Sequence, residues 1–214
     1  MRALPFVLTA TLLSGLSTVS LHAQATATAE VEVAEDAGFE SPQEAFEAAK
    51  TAFNERQWDV FLSCVSPEQQ MPLVGQMAFA CEQLQSRPGM DERVGQLLDR
   101  FFPKGIDTAA YTTASGKMQS DAFAELGQTL DDPAAFFGEA TNLVMALEHG
   151  DQADQVQVGE IGDLQPYKTA DGASDHAVQA QVTLVRPDTE TPRRDIWRFV
   201  SVEKRWFLAP LGAE

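Results

Sequence analysis

Positive charge is scarce in this chain. Its 15 lysines and arginines face 32 aspartates and glutamates, a formal net charge of −17. A field of that sign repels phosphate backbones and anionic headgroups, so nucleic acid is not expected as a partner. The stretch from Arg193 to Arg205 does interleave basic and aromatic residues. On so acidic a chain it reads as an outer sheet face and not as a platform for single strands. Histidine is almost as thin: only His149 and His176 lie beyond residue 25, and they do not stand at the spacing of a metal-ligand pair. No metal and no cofactor is expected. Nucleophile signatures are missing too, since there is no Gly-x-Ser-x-Gly, and Ser115-Gly116-Lys117 lacks the upstream glycine of a phosphate loop.

Long apolar runs are also lacking. The first residues, Met1 to Leu13, give one positive charge and then an apolar stretch, but Ser14, Gly15, Ser17 and Ser20 cut it below the roughly 20 residues a spanning helix needs. The segment closes on Ala23-Gln24-Ala25, the small-x-small pattern of a signal-peptidase site. Residues 1–25 are therefore expected to be a signal peptide, cleaved near Ala25, with the remainder exported to a periplasm or the extracellular space as a soluble protein without a membrane span. Cysteine is limited to Cys64 and Cys81. In an oxidising compartment the favoured reading is a disulfide closing a loop of about 17 residues, worth about 3 kcal/mol in the chain-entropy model. The alternative is two buried thiols acting as small hydrophobes.

What is present is a change of period. Residues 26–40 are acidic with few large apolar groups, and read as a flexible leader. From there to residue 212 the chain reads as a single α+β domain, helical over 41–150 and an antiparallel sheet over 151–212. Ser41-Pro42-Gln43-Glu44 is a helix start with a capping box, and Ala45, Phe46, Ala49, Ala52 and Phe53 give its apolar stripe. A second short helix follows with Trp58, Phe61 and Val65. Ser66 repeats the start signal, Pro72 is expected to interrupt, and Leu73, Met77, Cys81 and Leu84 then share a face. Val94, Leu97, Leu98, Phe101 and Phe102 mark the next helix, Phe123, Leu126 and Leu130 a short one, and Asp132-Pro133 opens another that Gly150 stops.

After Gly150 residues alternate. Four strands are expected: Gln155–Val158 continued by Leu164–Tyr167 after a bulge, then Val178–Val185, Asp195–Val202 and Arg205–Ala209. If Glu203-Lys204 is a two-residue hairpin loop, Ser201 lies opposite Trp206 and Phe199 opposite Leu208, so Trp197, Phe199, Trp206 and Leu208 share one face. A symmetric connection through Pro187 to Pro192 would set Val182 opposite Trp197 and Ala180 opposite Phe199. A face that aromatic must be covered, and the helices upstream are what can cover it.

The capped helix Ser41 to Val65 with its angled continuation, the strand Val178 to Leu184, and the ending Trp197, Phe199, Val200, turn, Trp206, Leu208 together resemble the NTF2-like (cystatin-like) superfamily. That resemblance implies a curved sheet wrapped around helices into a cone with a pocket, here with an enlarged helical middle section between Pro67 and Gly150. The pocket is expected to be lined by Trp197, Phe199, Trp206, Leu208 and Tyr111, with Tyr167 a further aromatic able to line it. Asp195 is the carboxylate to watch, because an apolar wall disfavours its ionised form and suits it to general-base work. The commoner fate of a carboxylate flanked by Arg193 and Arg194 is a surface ion pair. His149, in a last helical turn, is expected to oppose the helix dipole, and His176 to be a solvated turn residue.

The function these features favour is non-enzymatic: holding a small apolar ligand, or docking a protein partner or a second copy through an outer sheet face showing Ile196, Val200 and Phe207. The rival is an NTF2-like enzyme of isomerase, dehydratase or hydrolase type using Asp195. A deep pocket containing Asp195, ringed by Trp197 and Phe199, would favour chemistry; a filled core with Asp195 in solvent would favour binding or assembly.

Overall fold

The computed structural model describes residues 38–86, 92–107, 120–167, 176–186 and 192–209. Residues 1–37, which include the expected signal peptide and most of the expected leader, and Tyr111 fall outside them. The architecture is α+β, with six helices among the described residues packed on one antiparallel sheet. Helix α1 (Pro42–Asn54) starts where the capping signal places it, with Ser41 Oγ accepting from the Glu44 amide at 3.2 Å. The carboxylate of Glu44 reaches one residue further back than a capping box requires, to the Glu40 amide. Ala45, Phe46, Ala49 and Ala52 form its buried stripe. A turn with Arg56 at φ +60° leads into α2 (Trp58–Ser63), and α3 (Pro67–Gln85) follows almost at once. Helices α4 (Glu92–Phe101) and α5 (Ser120–Gln128) carry the apolar stripes read from sequence, and α6 (Pro133–His149) is capped by Asp132, whose Oδ1 accepts from the Ala135 amide. Gly150, at φ +57°, ends α6 and begins a 3-10 turn to Gln155.

Two expectations at α3 are corrected. Pro72 lies inside an unbroken helix, which forgoes the single amide that proline lacks and keeps its other turns. Ser66 makes no side-chain cap. Its amide donates to the Leu208 carbonyl at 3.0 Å, which draws the residue into the sheet and leaves its hydroxyl buried without a hydrogen-bond partner. The unbroken helix also decides the cysteines. Cys64 precedes α3, while Cys81 stands fourteen residues past Pro67, about 21 Å further along the axis. They belong to different parts of the core, and both are free, buried thiols rather than the expected bridge.

Five strands form the sheet, one more than expected: β1 (Gln157–Ile161), β2 (Gln165–Pro166), β3 (Ala177–Val185), β4 (Arg193–Val202) and β5 (Arg205–Ala209). The order is β1-β3-β4-β5, with the short β2 also on β3; a register shift lies within β1 between Val158 and Ile161, and Gly162 to Leu164 separate β1 from β2. The β4–β5 hairpin has the two-residue loop read from sequence, Glu203 and Lys204 at φ +51° and +68°, with Phe199 opposite Leu208 and Ser201 opposite Trp206. The β3–β4 register differs from a symmetric hairpin by two residues. Val182 faces Asp195, Ala180 faces Trp197 and Val178 faces Phe199. A two-residue shift keeps every side chain on its face, so the buried face is unaffected by the change.

Two polar clasps tie the helices to the sheet. Asn54 accepts from the Val158 amide at 2.7 Å and donates to the same residue's carbonyl at 3.0 Å, acting as one more backbone position beside β1. Arg56 donates to the carbonyls of Ala153 and Val156 at 2.7 and 2.9 Å, and its guanidinium lies over the rings of Phe53 and Trp58. Burial lowers its pKa from the ordinary value, with Asp154 pulling the other way. The edge of β5 is sealed from two directions. Phe39 exchanges both backbone hydrogen bonds with Trp206, and the Cys64 carbonyl and Ser66 amide bond Leu208. The flexible leader expected through residue 40 is thus already paired to the sheet at Phe39.

Candidate functional site

The helices and the sheet do not close completely on each other. Between α2, α3, α6 and strands β3 to β5 lies a cavity of about 250 Å³. Its walls are largely apolar, and aromatic on one side. Phe61 is the hub: it stacks on Phe137 with centroids 6.4 Å apart and planes at 6°, and meets Phe53, Trp58 and Trp197 edge-on at 6.0, 6.1 and 6.3 Å. Trp58 is itself held by an indole N–H bond to Asn142 at 2.8 Å. Leu73 and Met77 of α3, and Val144 and Met145 of α6, complete the apolar lining.

The polar groups on the wall are few. Thr141 turns its hydroxyl back to the Phe137 carbonyl at 2.7 Å, so it presents its methyl side to the space. Gln76 contributes from α3. Glu148 and His149 lie at the end of α6, with His149 Nε2 3.7 Å from Glu148 Oε2 and side chains only 8% and 5% exposed. Asp195 enters from β4, its Oδ1 3.3 Å from a guanidinium nitrogen of Arg193 and its side chain 21% exposed.

Of the residues expected from sequence, Asp195, Trp197 and Leu208 line this cavity together. Phe199 and Trp206 share their face but not the space. Phe199 is fully buried among Phe46, Ala49 and Val182, under α1, and Trp206 packs half-buried against the same group. They were misplaced because α1 lies directly on that end of the sheet and fills it. Tyr111 lies outside the described residues. Tyr167 sits away from the cavity, its ring centroid 4.1 Å from the Arg198 guanidinium, whose pKa burial lowers. His176 is an exposed turn residue whose carbonyl accepts from the Ser201 amide. The outer face is less apolar than expected. Ile196 is 44% exposed, but Phe207 is buried at 3%, with Gly38 laid against its ring.

Sequence reasoning missed Glu148, and placed His149 at a helix end without placing it on a cavity wall. A signal was available. Phe137, Thr141, Val144 and Glu148 recur at steps of four, three and four, so a carboxylate continues an apolar stripe. Among the described residues, no three His, Cys, Asp or Glu side chains are grouped to hold a metal ion, and no helix is long and apolar enough to cross a membrane. No protein-family model, curated protein or solved structure matches the chain.

Proposed function

We propose that this protein holds a small apolar ligand in the cavity between α2, α3, α6 and the sheet, in the manner the NTF2-like resemblance implies, without transforming it. The single observation behind this reading is a half-open cavity of about 250 Å³ bounded largely by apolar and aromatic side chains. An apolar guest there would release water from an apolar wall and gain dispersion contacts with it. Titration with the neutral fluorophore N-phenyl-1-naphthylamine tests it. One saturable site is expected, with a raised unfolding temperature from linkage. Val144→Trp, which fills the space, is expected to abolish binding while the chain still folds cooperatively. Absence of saturable binding, or binding that Val144→Trp leaves unchanged, overturns the proposal.

A second reading is favoured by one observation: Asp195 and Trp197 lie on the cavity wall. An isomerase, dehydratase or hydrolase type of enzyme would use that carboxylate as acid or base on the bound guest. The two readings separate at Asp195→Asn, which leaves a guest bound in both and removes turnover only in the second.

A further inference from the structure

Three part-buried amide side chains are each held by the chain itself. Asn54 bonds both backbone groups of Val158, Gln70 donates to the Val65 carbonyl at 3.0 Å, and Asn142 accepts from the Trp58 indole at 2.8 Å. Gln76 differs from them. It is half-buried on the cavity wall beside Leu73 and Met77 of the same helix, at the spacing of an apolar face, and among the described residues none hydrogen-bonds its side chain. An amide on an apolar wall is costly to desolvate unless the group that displaces its water restores the hydrogen bonds. The charged groups of the wall are already engaged. Asp195 lies 3.3 Å from a guanidinium nitrogen of Arg193, and Glu148 and His149 adjoin each other and each has a further interaction within the chain. A charged guest would compete with those contacts, and an anionic one would also meet a net charge of −17.

We infer that the ligand is a neutral molecule with an apolar body and one head group that both donates and accepts a hydrogen bond, a hydroxyl or a primary amide, and that Gln76 reads this head. The inference rests on the cavity being a ligand site. It adds the polarity of the guest and the residue that recognises it. The Gln76 amide offers a carbonyl acceptor and an N–H donor together, which such a head can satisfy, whereas a hydrocarbon would leave both unmet.

Displacement of N-phenyl-1-naphthylamine, with thermal shift beside it, tests this with three probes of one shape: 2-naphthalenemethanol, 2-ethylnaphthalene and 2-naphthylmethylammonium. The measure is the ratio of affinities for the alcohol and the hydrocarbon, taken in the parent chain and in Gln76→Leu, so that the different hydration of the two probes cancels. Gln76→Leu is expected to lower that ratio about tenfold, weakening the alcohol and leaving the hydrocarbon bound at least as tightly. Gln76→Met carries the same readout should the first variant fail to fold. A ratio that the substitution leaves unchanged overturns the role given to Gln76, and the apolar-ligand reading stands. Tighter binding of the ammonium probe than of the alcohol overturns the neutral class, again without touching that reading. Saturable binding of the fluorophore that none of the three probes displaces overturns the inference alone, and absence of saturable binding by fluorophore and probes alike overturns both proposals together.

Discussion

At the scale of single residues, the clearest consequence concerns the two thiols. Desolvation pushes Cys64 up to about 11 and Cys81 up to about 12, from an ordinary value of 9.0. A group whose folded pKa is raised holds its proton longer in the folded chain than in the unfolded one. Its contribution is complete below 9.0 and is lost as pH climbs through the folded values. The fall in unfolding midpoint between pH 9.0 and about 12 is therefore expected to be shallower in Cys81→Ala than in the parent chain. Intact mass without reductant is expected to match two free thiols, and a mass two hydrogens lower would return the disulfide. The bridge was over-read for a reason visible in one residue. A break at Pro72 would have folded the later helix back toward Cys64, and proline in the second turn of a long helix does not compel that break. By contrast the hairpin faces were legible, because alternation of side chains is a property of the strand itself.

At the scale of elements, α3 and α5 approach so closely at Gly75 and Gly127 that no side chain fits at these two positions. A Cβ on Gly75 would fall inside the carbonyl of Phe123, and one on Gly127 would press on the carbonyl of Met71. Both obstacles are backbone, so neither can rotate away. Gly75→Ala is expected to cost about 3 kcal/mol or more, as overpacking at a helix crossing does. Gly95→Ala in α4 carries the opposite expectation. Its new methyl meets only the movable Gln85 amide, and alanine's helix preference over glycine should stabilise by up to about 1 kcal/mol. Denaturant midpoints of the two variants check the pair, and a common sign for both would refute the assignment. Nothing in the sequence around Gly75 announced this contact. Apolar periodicity reports which side of a helix is buried, but the distance to its neighbour is set by the neighbour. The same limit left the extent of the expected pocket unread: α1 fills the Phe199 end of the sheet, and side chains of α2, α3 and α6 line the space beside Trp197.

At the scale of the whole molecule, the α+β division at Gly150 followed from the change in period, but the pairing of Phe39 with the edge of β5 did not. Phe39, outside any recognisable strand pattern, takes both backbone bonds of Trp206, and Gly38 covers Phe207. A chain beginning at Ser41 would leave that edge of β5 open beside an uncovered aromatic ring. Such an edge is a template for pairing with another copy. The shortened protein is expected to lose about 1–3 kcal/mol and to self-associate in light scattering, whereas a monomer of unchanged stability would show the seal to be dispensable.

That seal also sets an order of events. A polypeptide delivered amino end first presents Phe39 and the Phe46 stripe of α1 long before Trp206 and Phe199 have been made, so these surfaces wait, unsatisfied, for the β4–β5 hairpin. Closure awaits that hairpin, and a nascent chain stopped before β4 holds α1 to α6 but lacks the ribbon they cover.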